Sequence, residues 1–265
     1  GLKLLEESPQ IQVDVRSGLS PEQVREALKE ADGIIIRSAT KLTPELLQTL
    51  RLDTMKDIVD WPPANLAEGV PGERDGYEMV PVNTVVNAFH CWNLGLYAQI
   101  AALLGRDDDH RAFAARQEEV ATAFHRVFFD YARGVYTDGE CSSHASLHAN
   151  MFPLAFGLVP PEHEATVSDF VRSRGMACSV YGAQFLLEAL YRVGDAEHAL
   201  ALMTAEHDRG WLNMLKAGST ISLEAWDRRY KANLDWNHAW GAAPANIIPR
   251  FLVGVRPAEA GFASV

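Results

Sequence analysis

The stretch Asn83-Thr84-Val85-Val86-Asn87-Ala88-Phe89-His90-Cys91-Trp92-Asn93-Leu94-Gly95-Leu96-Tyr97-Ala98-Gln99-Ile100-Ala101-Ala102-Leu103-Leu104-Gly105 decides the fold class. Its apolar residues Val85, Val86, Phe89, Leu94, Leu96, Ile100 and Leu103 recur at helical spacing, and the run stops at a glycine. Asp107–Phe129 repeats the pattern through Phe113, Val120, Phe124, Val127 and Phe128. Ser142–Phe156, Glu162–Ser173, Val180–Val193, Ala196–Ala205 and Trp211–Ala217 read as further helices, and a last one is predicted over Pro244–Leu252. Gly139, Gly157, Gly175, Gly194 and Gly218 punctuate them. Helix after helix on short connections predicts a mainly α fold, a bundle or a toroid of helical hairpins. No strict internal repeat is visible, which argues against a solenoid.

Upstream the grammar changes. Trp61–Gly76 is rich in Pro and Gly and reads as a long loop. Residues 1–52 read as alternating helix and strand. Gly1–Glu7 looks like a helix end, and the chain opens inside it, which predicts a segment upstream. Ile11–Val15 alternates as a strand should, and Gly33–Arg37 is a short apolar run of the buried parallel kind. Ser20-Pro21-Glu22-Gln23 opens a helix with Ser at N-cap, Pro at N1 and Gln at N3, and Thr43-Pro44-Glu45 starts another. Two domains are expected, 1–52 and 53–265. The first holds no glycine-rich phosphate loop.

Composition excludes several functions. The 265 residues are 48% hydrophobic and 22% charged, the proportions of a globular protein with a sizeable core. Net charge is −11 and no basic block occurs, so neither nucleic acid nor an anionic membrane is an expected partner. No apolar run approaches the roughly 18 residues that span a bilayer. Cys91, Cys141 and Cys178 form neither a disulfide framework nor a metal-ligand spacing, which points to a reducing compartment, the cytoplasm. His144 and His148, read as one helical face at i, i+4, lack a third ligand; no metal and no cofactor are expected.

The chemistry concentrates in Ser219-Thr220-Ile221-Ser222-Leu223-Glu224-Ala225-Trp226-Asp227 and Asp235-Trp236-Asn237-His238-Ala239-Trp240-Gly241-Ala242-Ala243-Pro244. A carboxylate, an imidazole and several indoles fall close together. Indole faces suit the C–H side of a sugar ring, while carboxylate, amide and imidazole suit its hydroxyls. An acidic residue among aromatics is also how a protein tunes a carboxyl group for acid or base work. An aromatic-rich packing segment with a surface glutamate would look the same in sequence.

Two resemblances add to this. Gly1–Glu7, Val13–Glu22 and Ile36-Arg37-Ser38-Ala39-Thr40-Lys41 resemble the start of D-3-phosphoglycerate dehydrogenases. In that family the Arg-Ser-Ala-Thr-Lys segment helps hold an anionic substrate, the position Arg37 matches. The nucleotide-binding Gly-x-Gly-x-x-Gly that such chemistry requires is absent from this chain.

The second resemblance spans nearly all of residues 57–262. Asp60-Trp61-Pro62-Pro63, Arg74-Asp75-Gly76-Tyr77, Val82–Phe89, Tyr136-Thr137-Asp138-Gly139, Ser143–Asn150, Cys178–Phe185, the two segments around Glu224 and His238, and Gly254-Val255-Arg256-Pro257 are similar to bacterial α-L-rhamnosidases of glycoside hydrolase family 78. The resemblance implies an (α/α)6 barrel, here partial because fewer helices are readable than a closed toroid needs. It also implies release of terminal α-L-rhamnose from a rhamnose-containing glycoside with inversion, which needs two carboxyl groups about 6.5–9.5 Å apart. Glu224 matches the general base. His238 matches a histidine beside the sugar, and Trp61 an aromatic of the pocket wall; Asp60 and Trp240 belong with them as substrate-binding residues. Asp75 and Tyr77 sit in a family motif without an assigned role. The family's general acid lies in a segment resembling Asp-Cys-Pro-Gln-Arg-x-Glu-Arg-Leu-Gly-Trp-x-Gly-Asp, which these 265 residues do not contain. Weak or absent turnover is therefore expected, unless Glu68, Glu73 or Glu78 on the loop beside Trp61 substitutes. A carbohydrate-binding remnant and a dehydrogenase-derived module binding a phosphorylated hydroxy acid are the alternative readings. Aglycone preference and oligomeric state are not legible.

Overall fold

The computed structural model describes residues 12, 14–16, 19–20, 23, 26–27, 58–64, 69–70, 72–258 and 264. The chain separates into two compact units, Gly1–Lys56 and Asp57–Val265. In the first, the predicted capping box forms: Gln23 N–H donates to Ser20 Oγ at 3.3 Å, and Ser20 N–H donates back to Gln23 Oε1 at 2.9 Å. The strand expected over 11–15 is absent from its described residues 12, 14 and 15. Val15 is exposed and Arg16 folds back onto Asp14 at 2.6 Å, since alternation becomes a strand only where a ladder accepts its backbone. The other elements read in 1–52, and Arg37, lie outside the described residues.

The second unit is a series of helical hairpins. Helix α1 spans Thr84–Leu103; the side chain of Asn83 caps it by accepting from Val86 N–H at 2.9 Å, and Gly105 in the left-handed region ends the turn that follows. Helix α2, Asp107–Phe128, places Asp107, Asp108 and Asp109 at its positive end and His125 and Arg126 at its negative end. It packs back along α1. A hairpin of two-residue strands, β1 (Phe129–Asp130) and β2 (Val135–Tyr136), then reverses the chain.

Helix α3, Leu147–Phe156, is the axis of the core. Eight of its ten residues are buried, and Ala149 N–H donates to its N-cap Ser146 at 3.1 Å. It was expected to start at Ser142. It starts later because Asp138 draws Ser146 N–H and His144 Nδ1 to its buried carboxylate at 2.9 and 2.6 Å, holding 142–146 in a loop. His144 and His148 therefore do not share a helical face. Helix α4 (Pro161–Arg174), α1 and α5 (Gly182–Arg192) pack around α3, and α6 (Ala196–Met203) packs on α5. The short α7 (Trp211–Lys216) leads into the aromatic segments. The final helix, expected as one piece, is α8 (Ala243–Ile247) followed by a π-turn over Ile248–Leu252. Pro249 has no N–H to continue the α ladder.

The core joins Phe124, Phe128, Tyr136, Leu147, Met151, Leu154, Leu186, Leu187, Leu190 and Trp226. Among the described residues, no helix is long and apolar enough to cross a membrane.

Candidate active site

Two chain segments build the region around Glu224. Residues 222–224 and 235–238 run side by side: Glu224 N–H donates to Asp235 O at 3.0 Å, His238 N–H to Ser222 O at 3.0 Å, and Ser222 Oγ to His238 O at 2.8 Å. Trp240 Nε1–H closes the ladder on Glu224 O at 2.9 Å. A side chain at Gly241 would put its Cβ 2.5 Å from Leu223 O, so the close approach requires glycine there. Trp226, fully buried beneath, donates Nε1–H to Cys178 O at 2.7 Å and fixes the ladder to the start of α5.

On this frame Glu224 is only 8% exposed. Its Oε2 accepts from Lys231 Nζ at 2.8 Å and from Asp235 N–H at 3.0 Å. Burial alone raises a carboxyl pKa. Here the Lys231 hydrogen bond, the Asp235 N–H and the charges of Lys231 and His238 outweigh it, and the Glu224 pKa lies below the ordinary value. Glu224 is thus a carboxylate near neutral pH. The His238 ring sits 4.3 Å from the Trp240 ring, centroid to centroid. A cavity of about 310 Å³ opens beside the ladder against Leu223, Trp226, Asp227, Arg228, Leu234 and Trp236, but Glu224 does not line it.

Asp60 and Trp61 meet a different part of the molecule, the start of α5. Asp60 is buried and its carboxylate is saturated. Oδ1 accepts from Ser179 Oγ at 2.5 Å and Trp61 N–H at 2.9 Å; Oδ2 accepts from His148 Nε2 at 2.7 Å and Ser179 N–H at 2.9 Å. With four donors in place it has no oxygen to offer a sugar. The residue expected as a substrate ligand thereby ties the Trp61 loop to α3 and to Ser179 ahead of α5. Trp61 itself is 38% exposed.

Tyr181 bridges the two groups. Its N–H donates to Ser179 Oγ at 3.1 Å, and its half-exposed ring lies 5.8 Å from the Trp240 ring. Glu224, His238 and Trp240 are therefore directly assembled, and Asp60 and Trp61 reach them through Ser179 and Tyr181. Sequence reading missed Tyr181, Ser179 and Lys231. The serine carried a signal, since Gly182 N–H at the start of α5 donates to its Oγ at 2.9 Å as at a helix cap.

The motif residues left unassigned now have roles. Asp75 accepts from Leu147 N–H at 2.6 Å at the start of α3 and pairs with Arg174. Tyr77 Oη donates to Asp138 O at 2.7 Å. The substitute acids fare poorly. Glu78 accepts from Ser142 Oγ at 2.6 Å, and Glu68 lies outside the described residues. Glu73 is fully buried, with its N–H on Pro62 O at 2.9 Å and Arg209 Nε 3.2 Å from its Oε2. Burial, with Asp60 adding to it, pushes its pKa up to about 9 against the pull of Arg209. Glu73 is a neutral structural acid out of reach of a substrate. Among the described residues, no cluster of His, Cys, Asp and Glu could hold a metal ion.

Helical hairpins packed around a buried helix define a mainly helical domain, and Glu224, His238 and Trp240 gather on the ladder that follows α7. The family model for the bacterial alpha-L-rhamnosidase 6 hairpin glycosidase domain matches residues 38–252, and the chain belongs to that family. An alpha-L-rhamnosidase of Alteromonas sp. (strain LOR) is 24% identical over 183 residues, covering 66% of this chain and 19% of the relative. Alpha-L-rhamnosidases of Dictyoglumus thermophilum (TM-score 0.58, 19% identity, 65% of this chain and 20% of that one) and of Streptomyces avermitilis complexed with L-rhamnose (0.56, 17%, 90% and 22%) share the fold. The chain thus spans about a fifth of the length of the relatives it matches.

Proposed function

We propose that this chain carries the base side of an inverting α-L-rhamnosidase site. Glu224 is the general base, and His238, Trp240 and Trp61 line the pocket for a terminal rhamnose. The observation that carries the reading is a nearly buried glutamate kept ionised beside an imidazole that packs at a tilt against an indole. A base must be deprotonated at the working pH and held in place, and the lowered pKa of Glu224 and the two hydrogen bonds to its Oε2 support that reading. Asp60 supports the pocket as the anchor of the Trp61 loop. Substrates are neutral rhamnose-containing glycosides, in keeping with a net charge of −11 and no basic block.

The acid-bearing motif that the family resemblance implies is not among these residues, and loss of a general acid costs on the order of 10²–10⁴-fold in rate. Slow turnover by this chain is the expectation. The same observation favours, as a second reading, sugar binding without chemistry. Calorimetric titration with L-rhamnose, followed by an overnight assay with an aryl α-L-rhamnoside, tests both. Binding heat with slow release of the aryl alcohol, abolished in Glu224→Gln, supports the hydrolase; heat without release supports the second reading. Neither heat nor release contradicts both.

A further inference from the structure

We infer that Lys231 is a positioning residue for Glu224: its ammonium and the Asp235 N–H together fix Oε2 and leave Oε1 as the oxygen open to a reacting water. The inference rests on the reading of Glu224 as the general base. A glutamate side chain has several rotatable bonds, and two donors converging on one oxygen remove most of that freedom. Lys231 Nζ lies 2.8 Å and Asp235 N 3.0 Å from Oε2, while Oε1 has no hydrogen-bond partner among the described residues. The ion pair is sheltered, with the two side chains 18% and 11% exposed, so salt and water weaken it less than a surface pair.

The lysine is itself held. Its N–H reaches Asp227 O at 3.4 Å and its Nζ reaches Asn233 O at 3.4 Å, so the ammonium arches over the turn that joins the two segments of the ladder. One side chain thereby ties the turn to the carboxylate that the ladder presents. The charged groups facing Glu224 are Lys231 and His238, and the exposed Asp235 touches it through its backbone N–H. A fixed positive charge at Oε2 keeps the carboxylate ionised further into acid and biases proton uptake toward Oε1. This arrangement gives Lys231 a role in the pH range over which the base works.

The test is a carbon-13 NMR titration of the full chain labelled at glutamate, with the Glu224 carboxyl signal assigned as the one missing from Glu224→Gln. In the unsubstituted protein its midpoint lies below that of an ordinary glutamate. Lys231→Met raises the midpoint by about one pH unit, the low end of what a neighbouring opposite charge produces. Lys231→Arg leaves it within about 0.3 unit of the parent, because the charge remains. Near-UV circular dichroism verifies the fold, and Lys231→Gln replaces the Met variant if that signal is lost. An unmoved midpoint in the uncharged variant, or an Arg variant that rises as far, overturns the inference. The titration needs no turnover: a shift supports the role of Lys231 whatever rhamnose does, and rhamnose binding without a shift sinks this inference alone.

Discussion

Converting Asp60 to Asn tests the reassignment of this residue from sugar ligand to internal anchor. The carboxylate accepts four hydrogen bonds, from Ser179 Oγ, Trp61 N–H, His148 Nε2 and Ser179 N–H, at 2.5 to 2.9 Å. An asparagine must turn its NH2 toward one pair of those donors; Ser179 Oγ or His148 Nε2 can switch to accepting, but the backbone N–H of that pair, Trp61 or Ser179, becomes a donor-to-donor clash, and the charge is lost. Hydrogen bonds to a charged group contribute about 1.5–3 kcal/mol each, and removing one partner of a buried ionic arrangement typically costs about 3–5 kcal/mol. We expect Asp60→Asn to lose about 3–5 kcal/mol, a large part of the roughly 5–15 kcal/mol that holds a domain together. The midpoint of thermal unfolding should fall by roughly 6–20 °C. Urea unfolding followed by tryptophan fluorescence reads this directly, because Trp61 rides on the anchored loop and Trp226 is buried with its Nε1–H on Cys178 O, next to Ser179. A loss under about 1 kcal/mol, with weakened binding of L-rhamnose, would refute the anchor and restore Asp60 as a ligand.

Other outcomes follow from the same structure. Glu73 has a folded pKa of about 9 against an ordinary 4.5, so its contribution is fully present below pH 4.5 and is lost as pH rises toward 9. Stability should fall over that window by up to about 1.4 kcal/mol per pH unit. Glu73→Gln should flatten that slope, measured as urea midpoints from pH 5 to 9; an unchanged slope counts against it. Gly182→Ala should cost about 1–3 kcal/mol, since the new Cβ would lie 2.6 Å from Asp60 Oδ2 and 3.1 Å from Cys178 Cβ; thermal unfolding within error of the parent would contradict this crowding. Glu224→Gln should remove aryl rhamnoside turnover while leaving the fold intact by near-UV circular dichroism.

The helices were legible because their signals are local. The 3.6-residue period marked α1 and α2, and Gly105 and Gly157 marked where helices stop. The β1–β2 hairpin was not, because two-residue strands carry no usable alternation. The late start of α3 was hidden for a related reason: the loop 142–146 is held by Asp138, which no helical period reveals. Motif resemblance singled out Glu224, His238 and Trp240, which the fold draws together. It also singled out Asp60 but not what the residue does, because His148 and Ser179 stand 88 and 119 positions away. Lys231 was silent in sequence, since its seven-residue offset from Glu224 has meaning only across the turn that joins the two segments.

The most direct test of the central claim, that Glu224 faces a sugar pocket, is a crystal structure of this chain soaked with L-rhamnose. The account predicts the sugar against the Trp240 ring and His238, with Glu224 Oε1 within about 2.6–3.2 Å of a sugar hydroxyl or of a single intervening water. Rhamnose bound elsewhere on the chain, with Glu224 contacting only Lys231 and Asp235, would contradict it.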